Sequence, residues 1–392
     1  MLTYSKIIHN LSAFFILISG ENMKNKDILI TVTAAALALS LIVFFISDKE
    51  LACVNFLAAT LKINLRESQT QFKESYLNLN NLVQNELGNP LKREVKQTPE
   101  KYTQPSETDP DIAERIKSFK AKKNKKAAGK VYERTFTNMN SQVQYGKIKV
   151  QNRTEKKINI KKILAEGARL KIKDKSKPTV LIYHTHTHES FVTLEGGVYY
   201  KGETTQSSDK SENIVRVGDA IVERLQKAGY NVIHDTAFYD DDYNNAYKHS
   251  GVGIDKILKK YPTIDVAIDI HRDSIGVEGD EKGRTAAVNT IGGKKAAQIM
   301  IVTGCEEDFI KDFPDWYDNL HFAIGLQNQL QQDFEGLARP VYFADRKYNM
   351  YKTKNSVLIE VGSDGNTLEQ AVYSGKMLGE SLAKYLDNYI EK

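Results

Sequence analysis

Three apolar runs of this chain share one form, since each of them ends in histidine or acidic residues. They are TVLIYHTH at 179–186, IDVAIDIHRD at 264–273 and SVLIEVG at 356–362. Such runs predict buried β-strands, and buried strands do not normally end in polar groups unless a partner compensates them. In an open α/β sheet, ligands bind beyond the carboxyl ends of the strands. The pattern therefore predicts a site at one edge of a sheet in which these strands are parallel neighbours.

Strand-like and helical segments alternate over residues 177–392, which we predict to be the catalytic domain. This alternation favours an α/β fold in which helices flank a mixed, mostly parallel sheet. The run AAQIMIVTG at 296–304 predicts a further strand, and the long glycine-bearing loop 191–212 is expected to rim a groove. Residues 131–176 predict a small lead-in with short strands. Amphipathic helices are predicted at 212–229, 244–260, 316–334 and 367–390.

The N-terminal part contains an uncharged, predominantly apolar run, ILITVTAAALALSLIVFFIS at 28–47. As a helix it would measure about 30 Å, the thickness of a bilayer core. Lys24 and Lys26 precede it, so the positive-inside rule places residues 1–27 in the cytoplasm and the remainder outside. The alternative is a cleaved signal peptide, for which the run is long. We predict a single-pass anchor in the cell membrane and an extracytoplasmic catalytic domain.

Residues 48–130 connect this anchor to the rest of the chain. Much of the segment is charged, proline-bearing and poor in large apolar side chains, as in KSFKAKKNKKAAGK at 117–130. Such a composition buries too little surface to offset its ordering entropy, which predicts a flexible extracytoplasmic tether. The net charge of +5 over 392 residues is mild. It fits contact with an anionic surface without requiring nucleic acid, and we predict no nucleic-acid partner.

Histidines and carboxylates at the strand ends are suited to zinc. The cysteines, Cys53 and Cys305, lie far apart and match no zinc or disulfide pattern. Catalytic zinc takes three protein ligands and leaves a fourth position for water. His184 and His186 are two residues apart and would share one face of a strand. Glu189 follows after a turn.

A third ligand and a general base are expected from the neighbouring strands. His271 lies in the second run, and Glu360 in the third could accept a proton from the attacking water. Asp269 or Asp273 could orient His271 through its second ring nitrogen. Glu360 could instead be an ion-pair partner of Arg272.

The motifs, taken in order, resemble those of the stage II sporulation protein P family. The resemblance covers roughly residues 145–390 and rests on YHTHTHESF, NIVRVGDAIVERL, YNNAYKHS, DVAIDIHRDS, IGGKKAAQIMIVTG, DNLHFA and VLIEVGS. It implies a membrane-anchored peptidoglycan hydrolase of an endospore-forming bacterium, with the phosphorylase/hydrolase-like fold of zinc-dependent N-acetylmuramoyl-L-alanine amidases. Family members cut the amide between muramic acid and the stem peptide, and are also credited with cross-link endopeptidase activity. The implied partners in forespore engulfment are stage II sporulation protein D, a lytic transglycosylase, and stage II sporulation protein M, a membrane scaffold.

The resemblance also implies roles for individual residues. His186, Glu189 and His271 would bind Zn²⁺, and Glu360 would be the catalytic glutamate. Two alternatives stay open. His184 could replace His186 as the first ligand, and Glu212, at the start of the next helix, could replace Glu189.

Two other functions compete with the amidase interpretation. A metallo-hydrolase of the β-lactamase type carries H-x-H-x-D-H, whereas HTHTHE at 184–189 inverts the last pair. A non-catalytic wall-binding scaffold could keep the fold, but the presence of every candidate ligand argues against it.

Overall fold

The computed structural model describes residues 108–391, except residues 124, 139–142 and 309. The predicted cytoplasmic segment 1–27, the predicted transmembrane helix 28–47 and the predicted tether up to residue 107 therefore lie outside the described residues. Among the residues that are described, no helix is both long and apolar enough to cross a membrane.

The described residues form six α-helices. They are α1 (Pro110–Ala121), α2 (Ile160–Glu166), α3 (Ile214–Lys227), α4 (Ala246–Lys260), α5 (Trp316–Asp333) and α6 (Leu368–Asp387). A short 3₁₀ turn, Tyr243–Asn245, precedes α4. The helices predicted at 212–229, 244–260, 316–334 and 367–390 correspond to α3, α4, α5 and α6.

An eight-stranded sheet forms the centre of the fold. Its order is β2-β3-β12-β11-β13-β7-β4-β6, and all neighbours are parallel except the pairs β2–β3 and β11–β13. The prediction of a mixed, mostly parallel sheet is confirmed. The strands are β2 (Val143–Tyr145), β3 (Ile148–Asn152), β4 (Pro178–Tyr183), β6 (Asn231–His234), β7 (Val266–Asp273), β11 (Ile299–Gly304), β12 (Val341–Ala344) and β13 (Ser356–Ser363).

Helices cover both faces of this sheet because the side chains of each strand alternate between the faces. On β4, Val180 and Ile182 belong to the large core that includes α3, α5 and α6. Leu181 and Tyr183 belong to a second cluster that includes Ile254 of α4. The central strands are therefore buried on both sides, which explains why their sequences read as continuous apolar runs.

A smaller sheet lies beside the first, with the order β10-β9-β1-β5 and with β8 paired to β9. Its strands are β1 (Ala127–Arg134), β5 (Val198–Tyr200), β8 (Gly276–Val277), β9 (Asp280–Ile291) and β10 (Lys294–Ala297). The predicted strand 296–304 is thus divided between two sheets. At the division, buried Gln298 donates its backbone N–H to Ala287 and its side-chain amide to Gly336. The chain passes from one sheet to the other at this residue.

The end of the predicted tether is ordered, which corrects that prediction for residues 110–121. Helix α1 begins with Pro110, buries Ile112 and packs Ile116 against the large core. Asp109, which precedes α1, pairs with Arg216 of α3 and Lys376 of α6. The composition alone indicated a solvated chain. It could not reveal the two ion pairs, because Arg216 and Lys376 are distant from Asp109 in sequence.

The segment 131–176, predicted as a small lead-in, supplies strands to both sheets. The end of β1 pairs with β9, and β3 pairs with β12. One of the short strands expected in this lead-in, ARLKIKDK at 168–175, forms only an isolated bridge, between Ile172 and Ile390.

Candidate active site

The three strands with polar ends lie side by side in the central sheet. β7 pairs in parallel with both β4 and β13, so the predicted arrangement of parallel neighbours is confirmed. Tyr183 is opposite Asp269, and His271 is opposite Glu360. The carboxyl ends of the three strands therefore bring their polar residues to one edge of the sheet.

His186 faces His271 at this edge. The two ring centroids are 5.3 Å apart and the rings are nearly perpendicular. The Nδ1 atom of His186 is buried and has no hydrogen-bond partner in the structure. Burial lowers the pKa of His186, and the nearby His271 lowers it further. His186 thus combines a lowered pKa with a ring nitrogen that has no hydrogen-bond partner among the described residues.

His184 is held differently, although it is only two residues away. Its Nδ1 lies 3.0 Å from the carbonyl oxygen of Ile270, and its Nε2 lies 2.9 Å from Nε2 of His234. Burial, followed by the proximity of His234, lowers the pKa of His184 well below its usual value. A Cβ at Gly218 would approach within 2.7 Å of the His184 ring, so this glycine makes room for the pair. Both ring nitrogens of His184 have contacts within the protein.

Glu189 is the carboxylate that the structure brings to His271. Its Oε2 accepts the backbone N–H of Arg272 at 3.0 Å and lies 3.4 Å from His271 Nδ1. Burial opposes ionisation, but His271 and Arg272 outweigh it and lower the pKa of Glu189. Glu212, the alternative, is turned to other partners, since it pairs with Arg115 of α1 and accepts a hydrogen bond from Ser207.

Asp269 is the residue beside the second nitrogen of His271. Its Oδ1 lies 3.0 Å from His271 Nε2, although Nε2 makes no hydrogen bond of good geometry. Both carboxylate oxygens of Asp269 accept hydrogen bonds from Thr185. Burial alone would lower the pKa of His271, but Asp269 and Glu189 raise it well above its usual value. Asp273, the other predicted orienting residue, pairs with Arg339 at 2.8 Å.

Glu360 is a half-buried residue whose carboxyl atom Oε2 is itself buried. Its Oε2 has no hydrogen-bond partner. Burial raises the pKa of Glu360 to about 8; His271 opposes this shift and Glu189 adds to it. The alternative pairing with Arg272 is not observed, because that guanidinium donates to the carbonyl oxygens of Ser190, Thr205 and Asp273. A carboxyl with such a pKa can exchange a proton near neutral pH.

Tyrosines surround the two histidines. Tyr243 and Tyr247 were not predicted to lie at the site, whereas Tyr348 belongs to an aromatic group, near 342–351, that the sequence left open between core and a sugar-facing wall. Tyr243 stacks on His186 with centroids 4.4 Å apart. Tyr247 packs edge-on to His186 and is nearly parallel to His271 at 6.4 Å. Tyr348 stacks on Tyr247 at 4.9 Å. The sequence does contain a signal for Tyr243 and Tyr247, because both follow the carboxyl end of β6, a parallel strand of the central sheet.

The predicted ligand set was tested against the geometry that zinc requires. Tetrahedral zinc with bonds of 2.0–2.2 Å separates two ligand atoms by about 3.4 Å. Glu189 Oε2 and His271 Nδ1 are separated by 3.4 Å, and the centroid of the His186 ring, whose Nδ1 has no partner, lies 5.3 Å from that of His271. The described residues contain no group of three or more such side chains already arranged around one metal position. One pair of donors, Glu189 and His271, has the separation that zinc requires, and the unpartnered Nδ1 of His186 is the candidate third donor.

Comparisons with known proteins place the chain in a family. The Stage II sporulation protein P (SpoIIP) family matches residues 74–383. The Stage II sporulation protein P of Bacillus subtilis (strain 168) is 28% identical over 208 residues, 50% of this chain and 47% of that protein, so the match spans about half of the curated relative.

Among solved structures, the N-acetylmuramoyl-L-alanine amidase AmiC2 of Nostoc punctiforme has a TM-score of 0.32 at 14% identity, over 55% of this chain and 98% of that one. The CwlD amidase of Clostridioides difficile, in complex with the GerS lipoprotein, has a TM-score of 0.33 at 15% identity, over 54% and 99%. From the family match, this chain belongs to the stage II sporulation protein P family.

Proposed function

We propose that this chain is a zinc-dependent amidase that cleaves peptidoglycan between N-acetylmuramic acid and the L-alanine of the stem peptide. The observation that carries the proposal is the placement of Glu360. This half-buried residue, with a pKa raised to about 8, lies opposite His271 on the neighbouring strand, and His271 Nδ1 lies 3.4 Å from Glu189 Oε2. Membership of the sporulation family supports the choice of the cell wall as substrate.

His186, Glu189 and His271 would hold the zinc ion. Their donor atoms would be His186 Nδ1, Glu189 Oε2 and His271 Nδ1, and Asp269 beside Nε2 would keep the proton of His271 on that nitrogen. When bound, zinc would polarise the scissile carbonyl and lower the pKa of water.

Glu360 would carry the proton during hydrolysis. Its carboxylate accepts a proton from the attacking water as the new carbon–oxygen bond forms, and returns it to the nitrogen as the carbon–nitrogen bond breaks. The products are the carboxylate of muramic acid and the free amino group of the stem peptide. The unpartnered Oε2 of Glu360 is available for this transfer, because no hydrogen bond within the protein competes for it.

The cellular setting forms part of the same proposal. The apolar run 28–47 would anchor the chain in the membrane with its catalytic domain outside, at the septum and then the engulfing membrane of the forespore. Stage II sporulation proteins D and M would act with it during engulfment. Cleavage of stem cross-links would be a second activity of the same site.

The experiment uses the full-length chain, purified in mild detergent because of the apolar run. Zinc content and the products released from purified sacculi are measured by mass spectrometry for the wild type, His271→Ala and Glu360→Gln. His249→Ala and Glu223→Gln are matched controls, because both residues are exposed on helices. We expect the wild type and both controls to hold zinc and release stem peptides.

The two site variants should then fail in different ways. His271→Ala should lose zinc, whereas Glu360→Gln should keep zinc and lose about 10²–10⁴-fold in rate. Stem-peptide release by Glu360→Gln at the wild-type rate would contradict the role of Glu360. A wild type that binds sacculi and zinc without releasing stem peptides would be a scaffold and not an amidase.

A further inference from the structure

The segment 235–245, which links β6 to α4, is attached to the residues that follow β4. The side chain of Thr187 donates a hydrogen bond to the carbonyl oxygen of Ala237 at 2.7 Å. His188 Nδ1 lies 2.7 Å from Asp240 Oδ1, and the backbone N–H of His188 donates to the other oxygen of Asp240. The segment is therefore fixed to the same short stretch of chain that carries His186.

His188 has a structural task that its sequence context did not suggest. From the sequence alone it reads as a tolerated surface residue. In the structure its side chain is 19% exposed, the side chain of Asp240 is 1% exposed, and the ring stacks on Phe238 at 4.5 Å. A second attachment, a hydrogen bond of 2.6 Å from the Tyr239 hydroxyl to Asp235, closes the segment on itself. These contacts determine where the end of the segment lies.

At that end, Tyr243 covers one face of His186 and leaves much of its own ring in water. The two rings are 25° from parallel, Tyr243 is 61% exposed, and His186 is only 8% exposed. Among the large apolar side chains that are exposed in the described residues, Tyr243 is the most exposed. A hydrogen bond from Asn245 to Asp242, 2.7 Å long, holds the turn that carries it.

An exposed aromatic ring at the mouth of a site is suited to a flat ligand with apolar C–H groups. Aromatic faces gain free energy when such a surface removes them from water. A saccharide ring has this surface together with equatorial hydroxyls, and the exposed polar side chains of Asp241, Asp242 and Asn244 next to Tyr243 could bind those hydroxyls. A stem peptide offers no comparable flat face.

We infer that Tyr243 is the platform on which a saccharide ring of the substrate stacks while the scissile amide lies between His271 and Glu360. The inference rests on the proposed function and adds an orientation to it. The glycan strand lies on the side of the segment 235–245.

The first test measures glycan binding without any hydrolysis. Peptide-free glycan strands are titrated by calorimetry into the full-length wild type, Tyr243→Ala and Tyr243→Phe. Tyr145→Ala is the control, because Tyr145 is 47% exposed on strand β2 of the sheet edge. We expect Tyr243→Ala to weaken binding about tenfold, the contribution of one aromatic stack, while Tyr243→Phe and Tyr145→Ala stay near the wild type.

The second test separates the sugar from the peptide in catalysis. A disaccharide–peptide and a lactoyl–peptide without sugar are compared as substrates. Tyr243→Ala should raise the KM of the first about tenfold with little change in kcat, and leave the KM of the second unchanged.

Three results would overturn the inference. The first is glycan binding that does not depend on Tyr243, and the second is an equal rise in KM for both substrates. The third is that Tyr243→Ala loses both zinc and glycan binding, which would give the ring a purely structural role. Glycan binding that depends on Tyr243, in a wild type that cleaves neither substrate, would support the platform and contradict the amidase proposal.

Discussion

The half-buried Glu360 should make the folded state less stable as the pH rises. Its pKa is raised to about 8 in the folded chain, against a reference value of 4.5. Between these two values the unfolded chain has lost the proton that the folded chain retains. Stability from this residue is therefore present below pH 4.5 and is lost as the pH rises toward 8. A carboxyl with a lowered pKa would give the opposite slope.

The size of the effect follows from the shift. A change from 4.5 to about 8, at about 1.4 kcal/mol per pH unit, corresponds to about 5 kcal/mol as an upper value. Glu360→Gln has nearly the same shape and does not titrate. The raised pKa of His271 contributes a slope of the same sign, but it is present in both proteins. The difference between the wild type and the glutamine variant therefore reports Glu360 together with its interaction with His271.

The assay is urea unfolding of both full-length proteins at pH 5 and pH 8.5, followed by tryptophan fluorescence. Trp316 is the single tryptophan of the chain and packs against Phe343 of the central sheet. A chelator is included, because a cation beside Glu189 would lower the pKa of Glu360. The exposed substitution Glu223→Gln serves as the control.

We expect the two proteins to be equally stable at pH 5 to within about 1 kcal/mol, and the glutamine variant to be more stable by about 2–5 kcal/mol at pH 8.5. Parallel pH dependence of the wild type and Glu360→Gln would refute the reasoning, since it would mean that Glu360 is solvated like an ordinary surface carboxyl.

The other predictions concern α1 and the contact between α3 and α6. Arg216→Ala removes a charged partner of Asp109 and should cost about 1–3 kcal/mol in the free energy of unfolding, with faster proteolysis within α1. Burial opposes ionisation of Asp109, but Lys376 and Arg216 lower its pKa below 3.8. The stabilisation from these ion pairs should therefore be lost as the pH falls through and below 3.8, and limited proteolysis of α1 can measure the loss. Gly379→Ala should lower stability by about 1–3 kcal/mol in urea unfolding, because its Cβ would lie 2.8 Å from the backbone of α3. At Gly276 a Cβ meets nothing within 4 Å, so Gly276→Ala should be near neutral.

The arrangement of the central strands could be predicted because its signal is local. An apolar run that ends in polar groups is visible within ten residues, and β4, β7 and β13 each carry one. The long helices were also visible, since a 3.6-residue period persists through α3 and α6. The smaller sheet was not predicted. Its strand β9 alternates weakly and contains glycine and several charges, and one of its pairing partners, β1, is far away in sequence.

The choice between His184 and His186 could not be made from strand periodicity. The expectation that both face the site assumes that the strand continues through them, but β4 ends at Tyr183. Beyond that point the chain turns, and Glu189 N–H donates to the carbonyl oxygen of His186. His184 consequently packs against His234, whereas His186 turns toward His271. The rule of alternate faces does not apply after the last strand residue.

The different surroundings of Glu189 and Glu212 involve helix α1, which lies in the segment predicted to be a flexible tether. Arg115 of α1 pairs with Glu212 and directs its carboxylate away from the site, while the backbone of Arg272 holds Glu189 beside His271. Two glutamates with equal chemistry thus acquire different surroundings through residues 97 and 83 positions away, respectively. No local pattern contains that information. The composition of the candidate site is therefore set by contacts between segments that are distant in sequence.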